Sequence, residues 1–359
     1  QRRVDLDHLR VGSVNRARSS GTGIGGKGQG AFLAAQQLAA AAAAAGEDVP
    51  APRLCMFLGS GREGDTLAEL LAERTGGSPD PLLWARVASP CRICTTLLEG
   101  SGDATEVVEP SGAVTQQEWE ALALSLEEAA SAYQVSGGLA ALGILGTMPP
   151  GVPSDAYAQV IQRVCGHSTR VLIDSVVDVH GTLRAAARAT SGGGEAADAG
   201  AVMLKLNARE ILKLCGREVA GSDSQVAADP VAVAEACRQI AASASDEGER
   251  GVDYICFTDG PFPGGLVSLR SGRSWRLERT QKLRGPVMSP IGAGDATSAG
   301  TLHAWCRGRG GGGDLDSQAL EAFRFGLAVG AASCLTGENA KFDMADVEQI
   351  LESIVAVAA

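Results

Sequence analysis

Short apolar runs alternate with amphipathic stretches along most of the chain. Uninterrupted apolar runs stand at 53–59 ("RLCMFLG"), 139–146 ("LAALGILG"), 170–174 ("RVLID"), 201–205 ("AVMLK") and 252–258 ("VDYICFT"). Each is short and bounded by Gly, Pro, Asn or Asp, which predicts a strand. Between them, helical spacing predicts helices over 64–74, 115–132, 153–165, 207–215 and 229–243, with an earlier one that opens at Gly30 and ends at Gly46. Apolar strands that alternate with amphipathic helices form a parallel sheet covered on both faces. Such sheets bind ligands beyond the carboxyl ends of their strands. The polar and Gly-rich punctuation falls there: "GTMPPG", "DS", "KLNARE" and "TDG" each follow a strand directly.

Two stretches break the rhythm. Residues 11–24 and 89–109 alternate, carry β-branched residues and contain a hairpin-like Gly-Ser-Gly-Asp break, which predicts a small antiparallel sheet apart from the main one. The alanine run 39–45 lies inside a helical pattern, whereas the Gly-rich tracts at 191–200 and near 307–316 read as surface loops. No internal repeat is visible.

The length of 359 residues suits one large α/β domain or two ordinary ones, and 45% hydrophobic with 20% charged residues supplies a core. The net charge of −11 argues against a nucleic-acid or anionic-membrane surface, each of which needs a positive footprint. Nine cysteines scattered through apolar segments read as free thiols, placing the chain in a reducing compartment, the cytoplasm or an organelle stroma or matrix. No leader is visible before Gln1. Cys91-Arg-Ile-Cys94 lacks a second ligand pair, and His8, His167, His180 and His303 are not clustered, so a direct metal site is not expected. Asp174, at the end of "VLID", reads as a turn starter.

Two glycine-rich stretches carry the candidate chemistry. In "GTGIGGKG" (21–28), Gly21, Gly23 and Gly26 match a dinucleotide pattern, but "NRARSS" before them is no buried strand. A P-loop would need Ser or Thr where Gly28 stands. A flexible turn, or a backbone close to a small ligand with Lys27 beside it, both remain open. In "GAGD", Gly292, Ala293 and Gly294 can present successive amides at a helix N-terminus, an anion hole, with Asp295 within reach of an acceptor hydroxyl. Taken alone, that aspartate equally suits a first-turn partner of the helix dipole.

The order "GGKG" (25–28), "TMPPGVP" (147–153), "KLNARE" (205–210), "FTDG" (257–260) and "GAGDATSAG" (292–300) resembles the ribokinase/PfkB carbohydrate kinases, over essentially the whole chain. The resemblance is nearest to the branch of 1-phosphofructokinase and tagatose-6-phosphate kinase. It implies a ribokinase-like three-layer α/β/α fold, with a central, mostly parallel sheet and a small β-sheet lid. The body would take 26–88 and 112–359, the lid 1–25 and 89–111, and the body's first strand would precede residue 1.

The implied activity is ATP-dependent phosphoryl transfer to a hydroxyl of a sugar or sugar phosphate, with ATP and Mg2+ as cofactors. Asp295 would be the base, and Gly292, Ala293 and Gly294 the anion hole. Lys205, Asn207, Glu210, Thr258, Gly260 and Asn339 would face ATP and Mg2+, with the metal held through water by Asn207 and Glu210. Gly25, Gly26, Lys27, Gly28, Thr147, Arg92, Asn15 and Arg16 would meet the acceptor, Arg92 taking its phosphate. The lid of many members pairs with a second subunit, which implies a homodimer. Four positions depart from the family pattern: Gly30 stands where an Asn reads the sugar, Leu145 and Thr147 replace two serines, and Leu206 replaces the proline of "KPN". They leave open a substrate such as a nucleoside or vitamin alcohol, or a catalytically weak protein serving as a structural or interaction subunit.

Overall fold

The computed structural model describes residues 1–47, 49–78, 80–101, 104–132, 139–191, 199–217, 227–245, 251–308 and 314–359. Most of the Gly-rich tracts at 191–200 and 307–316 lie outside these residues.

The main sheet has seven strands: β7 (Ala141–Leu145), β8 (Arg170–Asp174), β9 (Ala201–Asn207), β10 (Tyr254–Asp259), β11 (Phe262–Ser268), β12 (Ser274–Arg279) and β13 (Ile354–Ala358). β7 to β10 run parallel, and β11 to β13 continue the sheet antiparallel. The apolar runs dictate the parallel part: all five residues of β8 are buried, because helices cover both faces. One face packs against α3 (Gln116–Ser131), α4 (Ala156–Val164), α5 (Val179–Thr190), α6 (Ala208–Leu214) and α7 (Pro230–Ala244). The other packs against α1 (Lys27–Ala44), α8 (Ala293–Arg307), α9 (Leu315–Ser333) and α10 (Met344–Ser353). Leu172, Ile173, Leu204 and Ile255 are fully excluded from water, and burying each such side chain is worth about 1.5–3 kcal/mol.

β3 (Leu54–Ser60) and β4 (Leu82–Pro90) form a separate parallel pair, joined by α2 (Gly61–Arg74). Residues of β3 and β7 line one cavity of about 1800 Å³. Among the described residues, β3 pairs only with β4 and β7 only with β8.

The third sheet has the order β2 (Ser19–Thr22), β1 (Arg2–Leu6), β5 (Cys94–Glu99), β6 (Ala104–Val108). It is not wholly antiparallel, since β1 runs parallel to β5. The 11–24 stretch yields only the short β2, while residues 2–6 form the inner strand that the pattern did not announce. This sheet overhangs the cavity through Gln1, Arg2, Cys94 and Glu106.

Candidate active site

The carboxyl ends of β8 and β9 set the chemistry. Ile173 pairs with Leu204, so Asp174 and Lys205 follow on adjacent strands, where Lys205 Nζ donates to Asp174 Oδ2 at 2.8 Å. Lys27, in the first turn of α1, donates to Asp174 Oδ1 at 2.9 Å. Ser298 of α8 completes the set with a 2.7 Å hydrogen bond to Asp174 Oδ2. Asp174 and Lys205 are almost wholly buried, whereas Lys27 keeps 39% of its side chain exposed. Burial alone would raise the Asp174 pKa, but Lys205 and Lys27 overcome it and hold the carboxyl at about 2.

Asp295 lies in the first turn of α8. Gly292 caps that helix, with a φ of 79° and ψ of −1° that are left-handed, a conformation natural to glycine. The turn is pinned by Lys205 Nζ, which also donates to the Gly294 carbonyl at 2.9 Å. Asp295 is half-buried and lines the cavity. Burial raises its pKa most, Asp174 adds to the rise, and Lys205 and Lys27 oppose it, leaving the carboxyl pushed up to about 7. A carboxylate poised near neutrality at a helix N-terminus, with two ammonium groups behind it, can take a proton while the turn holds an anion. Of the three candidate amides, that of Ala293 is partly engaged, with the Pro290 carbonyl 3.3 Å away.

Asn207 and Glu210 form a reciprocal helix cap. Asn207 Oδ1 accepts from the Glu210 amide at 2.8 Å, and Glu210 Oε2 accepts from the Asn207 amide at 3.0 Å. Glu210 Oε1 is left facing Lys27 at 3.8 Å. A single carboxylate oxygen suits a cation held through water rather than a closed ring of direct ligands. Thr258 pairs with Asn207 across β10 and β9, and Gly260 turns β10 into β11 with a φ of 57°.

Gly25, Gly26, Lys27, Gly28, Arg92, Thr147, Gly292, Asp295 and Asn339 all line this cavity. Arg92 donates to Ser111 Oγ at 2.9 Å and is exposed there. Asn15 and Arg16 stand apart from the lining. The Asn15 side chain is consumed by its own loop, accepting from the Arg10 amide and donating to the carbonyls of Arg10 and Ser13, and Arg16 is exposed. Sequence reasoning passed over Asp174 and Ser298. The signal was Lys205, a lysine inside an apolar strand, which demands a buried carboxylate partner.

The comparisons agree with this architecture. A ribokinase of Giardia lamblia superposes with a TM-score of 0.69 at 15% identity, over 98% of this chain and 96% of that one. Phosphofructokinase-2 of Escherichia coli, solved in complex with fructose-6-phosphate, superposes with a TM-score of 0.64 at 20% identity, over 98% and 94%. The chain has the ribokinase-like fold. In sequence, this ribokinase-like chain is 26% identical over 208 residues to an ATP-dependent 6-phosphofructokinase isozyme 2 of Mycobacterium tuberculosis, a match over 58% of this chain and 49% of that protein. The chain thus spans about half the length of the curated relatives it matches. No family model matches it.

Proposed function

We propose that the chain is a carbohydrate kinase of the ribokinase/PfkB kind, transferring a phosphoryl group from ATP to a hydroxyl of a sugar or sugar phosphate. The observation that carries this reading is Asp295, half-buried on the cavity wall at the N-terminus of α8, with its pKa pushed up to about 7. Asp295 takes the acceptor hydroxyl's proton as the oxygen attacks. The amides of the 292–295 turn and the ammonium groups of Lys27 and Lys205 stabilise negative charge on the transferring group. Asp174 accepts hydrogen bonds from both lysines and so holds them in place, Lys205 against that turn. Arg92 receives the acceptor's phosphate. Glu210, with Asn207, would hold Mg2+ through water; bound, the ion neutralises the nucleotide's phosphates.

In this reading residues 1–25 and 89–111 act as a lid over a body formed by 26–88 and 112–359. Closing it excludes water from the transfer. The lid's exposed edge strands would pair with a second copy; a tetrameric inhibited form is known for the E. coli phosphofructokinase-2. The upper cavity, beside Asp295, takes the acceptor.

A second reading is a catalytically weak protein of this fold. Gly30 favours it, since no side chain reads the sugar there. Turnover measured across a panel of sugars and sugar phosphates with ATP and Mg2+ decides between them. The kinase reading expects phosphorylation of at least one acceptor. Thermal stabilisation by nucleotide without turnover of any acceptor would favour the second.

A further inference from the structure

The loop between α9 and α10 contacts five separate parts of the molecule within six residues, 337–342. Arg3 of β1 donates to the Gly337 carbonyl at 2.8 Å. Arg74, at the end of α2, pairs with Glu338 at 2.6 Å. Gln37 of α1 donates to the Ala340 carbonyl at 2.9 Å and accepts from the Phe342 amide at 3.4 Å. Between these anchors, Asn339 Nδ2 donates to the Ile24 carbonyl at 3.2 Å. The Asn339 Oδ1 is buried against Gly292, so closely that a Cβ added to Gly292 would lie 1.7 Å from it. The next residue, Ala340, is fully buried with a φ of 55°, a left-handed conformation unusual for alanine. Non-glycine residues hold such a conformation only where their surroundings over-determine it. Here the surroundings are the hydrogen bonds that aim Asn339.

We propose that Asn339 is a positioning residue that clamps the glycine turn 23–26 to the first turn of α8. The acceptor-side backbone and Asp295 then keep one geometry. This rests on Asp295 as the base, and it replaces a nucleotide contact for Asn339 with a structural coupling. Arg3 extends the same loop to the small sheet, so the sheet, the glycine turn and the base share one connector.

Amide hydrogen exchange tests the clamp without turnover. In the unaltered protein, amides of 23–30 and of 293–297 should open together, with protection factors within about threefold and the same denaturant dependence. Independent openings would overturn the clamp. In Asn339→Ala, exchange over 23–30 should rise at least about tenfold while β8 and β9 amides stay protected. Unchanged exchange would likewise overturn it. Asn339→Asp, equal in size but lacking the donor, repeats the test should the alanine variant not fold. In kinetics, kcat should fall about tenfold or more with the KM for ATP unchanged. A raised KM for ATP with unchanged exchange would make Asn339 a nucleotide contact instead. If the unaltered protein phosphorylates no acceptor, the kinase reading fails while the exchange results still decide the clamp.

Discussion

Gly30 lies directly against Asp295: a Cβ added at Gly30 would sit 2.6 Å from Asp295 Oδ2 and 3.1 Å from its Cβ. The absence of a side chain at Gly30 therefore matters to Asp295 itself. It makes the room in which the Asp295 carboxylate stands. Gly30→Asn, which installs the residue of the ribokinase/PfkB pattern, should displace the carboxylate rather than create a sugar contact. A misplacement of about 1 Å can cost roughly 100-fold in rate. Steady-state kinetics of Gly30→Asn and Gly30→Ala should show kcat falling by about that factor; a gain in acceptor affinity at unchanged kcat would contradict this account.

Asp174 binds two lysines at once, one fully buried. Asp174→Asn leaves Lys205 without its charge partner, and breaking a buried pair in this way costs about 3–5 kcal/mol. Thermal denaturation should show the loss at neutral pH. Because Asp174 raises the Asp295 pKa, the same substitution should also shift the acid limb of the rate profile below about 7. An unmoved acid limb would show that the two carboxylates do not interact.

The pH dependence of stability has a definite sign. Folding raises the Asp295 pKa from 3.8 to about 7, so the folded state binds more protons across that window. Its contribution to stability therefore falls as pH rises from about 4 to about 7. Asp295→Asn removes this penalty and should melt higher than the unaltered protein at pH 8, by on the order of 4 kcal/mol at most. The advantage should shrink as pH falls towards 4. Asp174 acts oppositely: its depressed pKa of about 2 contributes stability above about 4, lost as pH drops towards 2.

Arg92 lines the cavity from the connection leading into β5, exposed and bonded only lightly to Ser111. If it receives an acceptor's phosphate, Arg92→Ala removes a charge-assisted contact worth about 1.5–3 kcal/mol, a rise in KM of roughly 10- to 100-fold. The KM for a neutral acceptor should hardly change. An equal effect on both would assign Arg92 to structure.

Much of this was legible in the sequence. The parallel strands β3 and β7 to β10 lie within a residue or two of the apolar runs, because a strand buried on both faces leaves an unbroken apolar signature. β11 to β13 were not legible. "FPGGLVS" carries Pro and two glycines, and its register depends on β10 and β12 rather than on its own pattern. The inner strand of the small sheet, "RRVDL", is similar, its one deeply buried residue being Leu6. Asp174 was missed because a strand-end aspartate looks the same whether it opens a turn or anchors two lysines. Only the β8–β9 register distinguishes the two.

The central claim is that Asp295 takes the acceptor's proton. The direct measurement is the rate of ATP-dependent phosphorylation by Asp295→Asn, alongside a melting curve at the same pH, for an acceptor that the unaltered protein turns over. The account predicts a fall in kcat of about 100-fold or more, the scale of general-base catalysis, in a protein that melts no lower than the original. Turnover within a few-fold of the original would contradict it.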